Sequence, residues 1–286
     1  MMEFFQVQEL GDGIFCLKDL STVEMYLVVG EQRAALLDTG TGIGDLAGAV
    51  RGLTNKPVEV YLTHGHVDHA GGIYSFDRVH VHPADKALMQ ENARPGMRLA
   101  FAGFVGRAAG STPWTQADFA PPHPIEICEL EPGSTADLGG RTLTAVDMAG
   151  HTRGSLGYFD SATGTLFAGD GCNNSTFLFL PESASVEEYR DTLVRLKADW
   201  GAKVRRMMIC HDYTCIPLQC IDEVLACCEN VLAGASECEP FVFGFTPLAC
   251  KNSVWAARGG ARRVDGRFGN LAYDTNRKWK YGADKL

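Results

Sequence analysis

The run Thr63-His64-Gly65-His66-Val67-Asp68-His69 constrains this chain more than any other stretch of it. Only 8 histidines occur in 286 residues, and three of them fall here beside an aspartate, in the spacing His-x-His-x-Asp-His. Core or surface packing gives no reason for that spacing, whereas metal ligation does. His64 and His66, two apart on a loop leaving a strand, face one side and can share an ion. Asp68 and His69 then turn toward a second. Imidazole and carboxylate suit zinc, with iron and manganese as competitors.

Four ligands in one loop do not complete two sites, so partners must come from elsewhere. The sequence offers Gly150-His151-Thr152, Gly169-Asp170-Gly171 and Cys210-His211-Asp212, each a His or Asp following an apolar run. His80 and His82, within or at the end of a strand, read as structural. So does His123, set among Pro121, Pro122 and Pro124.

Short apolar runs rich in β-branched residues predict strands over 25–29, 34–37, 58–62, 79–82, 141–147, 156–160, 165–168 and 206–210. Helices are expected over 43–53 and 185–199, the second opened by Ser185 with Glu188 three residues on. Each candidate ligand follows a strand, which is where α/β proteins carry their sites. Residues 84–124 hold Met89, Met97, Leu99, Phe101, Phe104 and Trp114. They read either as a helical cover over something apolar or as plain packing on the sheet. Beyond about residue 241 the run Val264-Asp265-Gly266-Arg267 suggests a hairpin. Arg258, Arg262, Arg263 and Arg267 read as a solvated face, with anion binding left open.

The net charge is −9, from 35 acidic and 26 basic residues, so no long nucleic acid is an expected partner. The first residues lack the charged and apolar regions of a signal peptide, and no apolar run reaches the roughly 18 residues of a membrane span. A cytoplasmic location away from membranes is the expectation. Of the ten cysteines, Cys210, Cys215, Cys220, Cys227, Cys228, Cys238 and Cys250 crowd one region without a CxxC pair. They read as free thiols used as small hydrophobes, a redox role for 210–250 being left open and Cys172 being a candidate reactive thiol.

The order His64-x-His66-x-Asp68-His69, then His151, Asp170 and His211, with Leu37-Asp38-Thr39-Gly40 upstream, resembles the metallo-β-lactamase-fold superfamily. The likeness spans roughly residues 25–215. It implies an α/β protein of four layers, an αββα sandwich, forming a single domain over 1–286 with a substrate-covering insertion at 84–124 and a C-terminal extension. It further implies a first metal on His64, His66 and His151, a second on Asp68, His69 and His211, and Asp170 bridging both. Asp38 would orient a ligand histidine. Two divalent cations, zinc before iron or manganese, would hold a bridging hydroxide as nucleophile, which Asp68 could orient. Tyr213 would either donate to a carbonyl oxygen or be a buried structural tyrosine.

Within the superfamily, true β-lactamases commonly carry Cys or Ser where this chain has Asp170. The aspartate resembles glyoxalase II-type thioesterases, lactonases and phosphodiesterases. Flavodiiron-type proteins carry Glu in place of His66. The implied activity is hydrolysis of a small ester, thioester or lactone. The alternatives are a mononuclear iron persulfide dioxygenase, a phosphodiesterase on a small nucleotide, and a non-enzymatic binding module. The last usually loses ligands, and none is missing here. A small molecule is the expected partner; oligomeric state, a homodimer included, stays open.

Overall fold

The first hairpin shows how locally the chain is steered. Strands β1 (Phe5–Gly11) and β2 (Ile14–Asp19) pair antiparallel. They join through Asp12 and Gly13, both left-handed at φ 52° and 70°, as a two-residue type I′ turn requires. A computed structural model describes residues 4–109, 114–235, 238–241, 252–255 and 267–280 of the protein. They fall into two units. One runs to Ala145 and takes in Asp160–Thr163 and Cys210–Thr214; the other holds Val146–Phe159, Gly164–Ile209 and the chain from Cys215 on.

In the first unit, β1 and β2 continue into β3 (Glu24–Val29) and β4 (Ala34–Leu37). Helix α1 (Leu46–Leu53) leads to β5 (Val58–Tyr61), and the short helix α2 (Val67–Ala70) precedes β6 (Arg78–Val81). Helices α3 (Lys86–Asn92) and α4 (Pro95–Ala109) follow, then β7 (Glu126–Glu129). The seven strands form one sheet in chain order, antiparallel from β1 to β4 and parallel from β4 to β7. Leu37 pairs with Tyr61, so parallel β4 and β5 release their loops at the same edge, where α/β sheets place ligands. Leu17, Met25, Leu27, Leu36, Val60 and Met89 are buried together in its core. Helix α1 starts at Leu46 rather than at residue 43, because Gly44 is left-handed (φ 85°) and Asp45 caps the helix by accepting from Gly48 N at 2.7 Å. Residues 84–124 are largely helical, with Met89, Phe101 and Ala102 buried.

A further pair, β8 (Thr135–Asp137) and β9 (Thr142–Asp147), runs antiparallel. Buried Arg141 beside it forks onto Asp160, with Nε at 3.1 Å and Nη2 on the other oxygen.

The second unit contains β10 (Leu156–Asp160), β11 (Thr165–Gly169), β12 (Thr176–Leu178) and helix α5 (Val186–Trp200). Then come β13 (Arg206–Ile209), β14 (Cys215–Ile216), α6 (Gln219–Leu232), β15 (Cys238–Phe241), β16 (Asn252–Trp255) and β17 (Leu271–Asp274). Strands run in the order β14-β13-β11-β10, and a separate sheet runs β12-β17-β16-β15. Ser185 and Glu188 close a reciprocal capping box on α5. The amphipathic helices α5 and α6 bury Tyr189, Leu193, Leu196, Val224 and Val231 with Leu166 and Met207. Among the described residues, no helix is long and apolar enough to cross a membrane. The hairpin expected at 264–267 lies outside the described residues except for Arg267, as do Arg258, Arg262 and Arg263.

Candidate metal centre

Asp38 ends β4 in a left-handed conformation (φ 63°), fully buried. Its carboxylate accepts from Thr63 N at 2.7 Å, Thr63 Oγ1 at 2.8 Å and His69 Nδ1 at 2.8 Å. A carboxylate only accepts, so a neutral His69 carries its proton on Nδ1 and its lone pair on Nε2. Thr63 spends its hydroxyl proton on Asp38 and therefore accepts from His64 Nδ1, 3.1 Å away. The His64 lone pair is then also on Nε2. One buried carboxylate thus sets the tautomer of two rings. The His64 ring lies 4.7 Å from that of His66 and 4.0 Å from that of His69, centroid to centroid.

His69 Nε2 lies 3.3 Å from His211 Nε2, His211 Nε2 lies 3.5 Å from Asp68 Oδ2, and His69 Nε2 lies 3.8 Å from that same oxygen. Zinc bonds of about 2.0–2.1 Å at tetrahedral angles set neighbouring ligands about 3.3–3.4 Å apart. The triangle therefore fits a divalent cation. Cys210 also comes near, its Sγ 3.8 Å from Asp38 Oδ2. There the Asp38 oxygen and His69 Nδ1 already bond one another, so this thiol backs the orienting carboxylate.

The His211 loop is anchored to β3. Glu24 N donates to Cys210 O at 2.9 Å, Thr214 Oγ1 donates to Glu24 Oε1 at 3.1 Å, and the Tyr26 hydroxyl lies 3.2 Å from Thr214 O. Burial, with Cys210 and Glu24 nearby, pushes the Tyr26 phenol well above its ordinary range and keeps it a donor. Asp212 is left-handed (φ 61°). Tyr213 is 36% exposed, which removes the buried-tyrosine reading and leaves its ring on the surface beside His211.

In the second unit His151 Nδ1 lies 2.9 Å from Phe177 O. A carbonyl must accept, so the His151 lone pair is on Nε2, which is 3.7 Å from Asp170 Oδ2. Asn173 Nδ2 donates to Asp170 Oδ1 at 3.4 Å, and Ser183 Oγ donates to His151 O at 2.7 Å. Gly150 is required: a Cβ there would stand 2.1 Å from the Tyr189 ring. That ring is fixed by its hydroxyl donating to Gly171 O at 2.8 Å.

The remaining histidines pair elsewhere. His80 contacts Glu59 at 2.7 Å and stacks on Tyr61, His82 meets Glu131 at 3.2 Å, and His123 meets Asp77 at 3.5 Å. Cys172 is fully buried, so it is no exposed reactive thiol, whereas Cys215 is exposed. The sequence reading missed Thr63, Glu24, Asp85 (which accepts from Gly65 N at 2.9 Å) and the Phe177 carbonyl. A carbonyl leaves no trace in side-chain identity. Thr63 stood in plain view beside the histidines.

Fold and donor set together define an α/β protein equipped to hold divalent metal. Residues 20–202 match the model of the metallo-β-lactamase superfamily. The acyl-coenzyme A thioesterase MBLAC2 of Bos taurus is 31% identical over 214 residues, 68% of this chain and 76% of that relative. A hydroxyacylglutathione hydrolase of Synechococcus sp. is 30% identical over 113 residues, 40% of this chain and 34% of that relative. The fold resembles the crystal structure of a metallo-β-lactamase family protein from Thermus thermophilus, with a TM-score of 0.56 at 24% identity, covering 81% of this chain and 85% of that one. The chain belongs to the metallo-β-lactamase superfamily, has its α/β fold, and is a hydrolase.

Proposed function

We propose that this protein is a binuclear metal-dependent thioesterase acting on a small acyl thioester, with simple esters and lactones as secondary substrates. The observation that carries the reading is the triangle of His69 Nε2, His211 Nε2 and Asp68 Oδ2, with the His69 proton committed to Asp38. In this reading His64, His66 and His151 hold the other ion, Asp170 serves both, and the two units work as one catalytic domain. When bound, the ions supply Lewis acidity and make a water nucleophilic near neutral pH. Asp68 orients that water and receives its proton. The Tyr213 hydroxyl donates to the acyl carbonyl oxygen. Attack at the carbonyl carbon breaks the carbon–sulfur bond, and the thiol leaves with the transferred proton.

Relatives named as an acyl-coenzyme A thioesterase and a hydroxyacylglutathione hydrolase support a thioester over a phosphodiester. Metal analysis with a substrate panel tests the proposal. Two zinc ions per chain are expected, with acyl-coenzyme A and S-acylglutathione turned over faster than p-nitrophenyl esters, lactones or bis(p-nitrophenyl) phosphate. One iron per chain with oxygen consumption would overturn it, as would phosphodiester turnover exceeding that of every thioester.

A further inference from the structure

The segment 267–280 lies beyond the part of the chain that matches the superfamily model, yet it is wired to His151 by three routes. Strand β17 pairs in parallel with β12, with Ala272 opposite Phe177, and Thr176 N donates to Asn270 O at 3.0 Å. This seats the Phe177 carbonyl on which the His151 proton rests. The second route is Arg277. Its guanidinium donates to Leu180 O at 2.6 Å, Pro181 O at 3.3 Å and Ser183 O at 3.3 Å, while Nε holds Asp274 Oδ2 at 3.2 Å. The turn so gathered returns to the ligand loop, because Ser183 Oγ donates to His151 O and Ala184 N donates to Gly150 O at 2.9 Å. The third route is the backbone: Val186 N donates to Arg277 O at 3.3 Å and Glu187 N to Lys278 O at 2.9 Å, tying the start of α5 to the same segment.

A rigid planar fork satisfies several converging carbonyls at once, which a flexible ammonium does not. Three backbone carbonyls meeting on one side chain are otherwise a repulsive arrangement of dipoles. Without Arg277 the 180–183 turn would have to open, and the His151 backbone would lose its fixed support. We infer that Arg277 is a positioning residue for His151, holding the 180–183 turn so that this ring keeps one orientation and one tautomer before any metal arrives. The inference rests on the proposed function in taking His151 as a metal ligand. It gives residues 267–280, within the expected C-terminal extension, a share in building the centre.

The test compares wild type with R277A, R277K and S183A, the last removing only the Ser183 hydroxyl. Zinc is stripped, then titrated back against a chromophoric chelator, and the His151 ring is observed by proton–nitrogen NMR in zinc-free protein. R277A is expected to weaken one of the two zinc ions about tenfold, the low end for groups supporting a ligand histidine, and to mix the ring tautomers. R277K should lie between R277A and wild type, and S183A should shift both readouts the same way by less. Folded R277A with unchanged zinc affinity and a single Nδ1-protonated ring overturns the inference. If R277A does not fold, S183A with both readouts unchanged overturns it instead. A wild type that takes up no zinc overturns the proposed function, while the zinc-free ring comparison still decides the role of Arg277.

Discussion

At position 38 the backbone turns left-handed, a conformation aspartate tolerates better than most residues. The turn aims its carboxylate at Thr63 and His69 together. Asparagine has nearly the same shape but offers one acceptor oxygen and an amide donor, so Asp38→Asn cannot accept all three bonds. The His69 proton then shifts toward Nε2, the atom that faces His211. Zinc affinity should fall about 10–100-fold, and chelator competition would read this; unchanged affinity would remove Asp38 from the orienting role. Thr63→Val keeps the shape and removes the hydroxyl that links Asp38 to His64 while leaving the Asp38–His69 bond, so a smaller loss is expected by the same measurement. At this scale the sequence was legible wherever chemistry is local. His64, His66, Asp68 and His69 announce themselves by spacing, whereas the contact of Asp38 with Thr63 spans 25 positions and that of His151 with Phe177 is made to backbone.

Among the elements, α2 and α3 set how tightly the ligand loop can close. A Cβ on Gly65 would come 2.7 Å from Met89 N and 2.9 Å from Asp85 O, both backbone atoms that cannot swing aside. Gly65→Ala must therefore push the loop off α3, costing about 1–3 kcal/mol as overpacking does. Urea unfolding should show the loss, and zinc affinity should fall with it; a variant as stable as wild type would contradict that close approach. Elements with standard signals were readable, α5 from its Ser185–Glu188 box among them. Helix α6 was less legible, because half of its apolar face is cysteine, Cys220, Cys227 and Cys228 beside Ile221, Val224 and Val231, and cysteines serving as small hydrophobes mark a helical period only weakly. Strand β1 was hidden for the opposite reason: Gln6 to Glu9 are exposed, so no apolar alternation marks it, although Asp12-Gly13 was the available hairpin signal.

For the molecule as a whole, acid stability should depend on the Arg141–Asp160 pair. Burial alone would raise the Asp160 carboxyl, but the hydrogen bonds from Arg141, Thr163 and Ala162 outweigh it and hold it below its ordinary 3.8. A carboxyl lowered on folding stabilises the fold fully above its unfolded value. That contribution is lost as pH falls through the lower, folded value. Breaking such a buried pair from one side costs about 3–5 kcal/mol, so Asp160→Asn should be markedly less stable than wild type at neutral pH. The gap should close below about pH 4, read by urea unfolding between pH 2 and 7. A gap that does not change with pH would assign the loss to packing instead. The order of strands and ligands along the chain was legible because each ligand follows a strand. The wiring of residues 267–280 to His151 was not, because it runs mostly through backbone carbonyls.

The left-handed backbone at Asp212, directly after His211, restricts which sequences can ever carry this centre. A branched side chain there pays about 1–2 kcal/mol in local strain, while asparagine and glycine escape most of it. A saturation library selected for activity should therefore keep Asp, Asn and Gly at 212 and purge Val, Ile and Thr. The position would act as a filter on drift, although its own side chain belongs to no proposed ligand set.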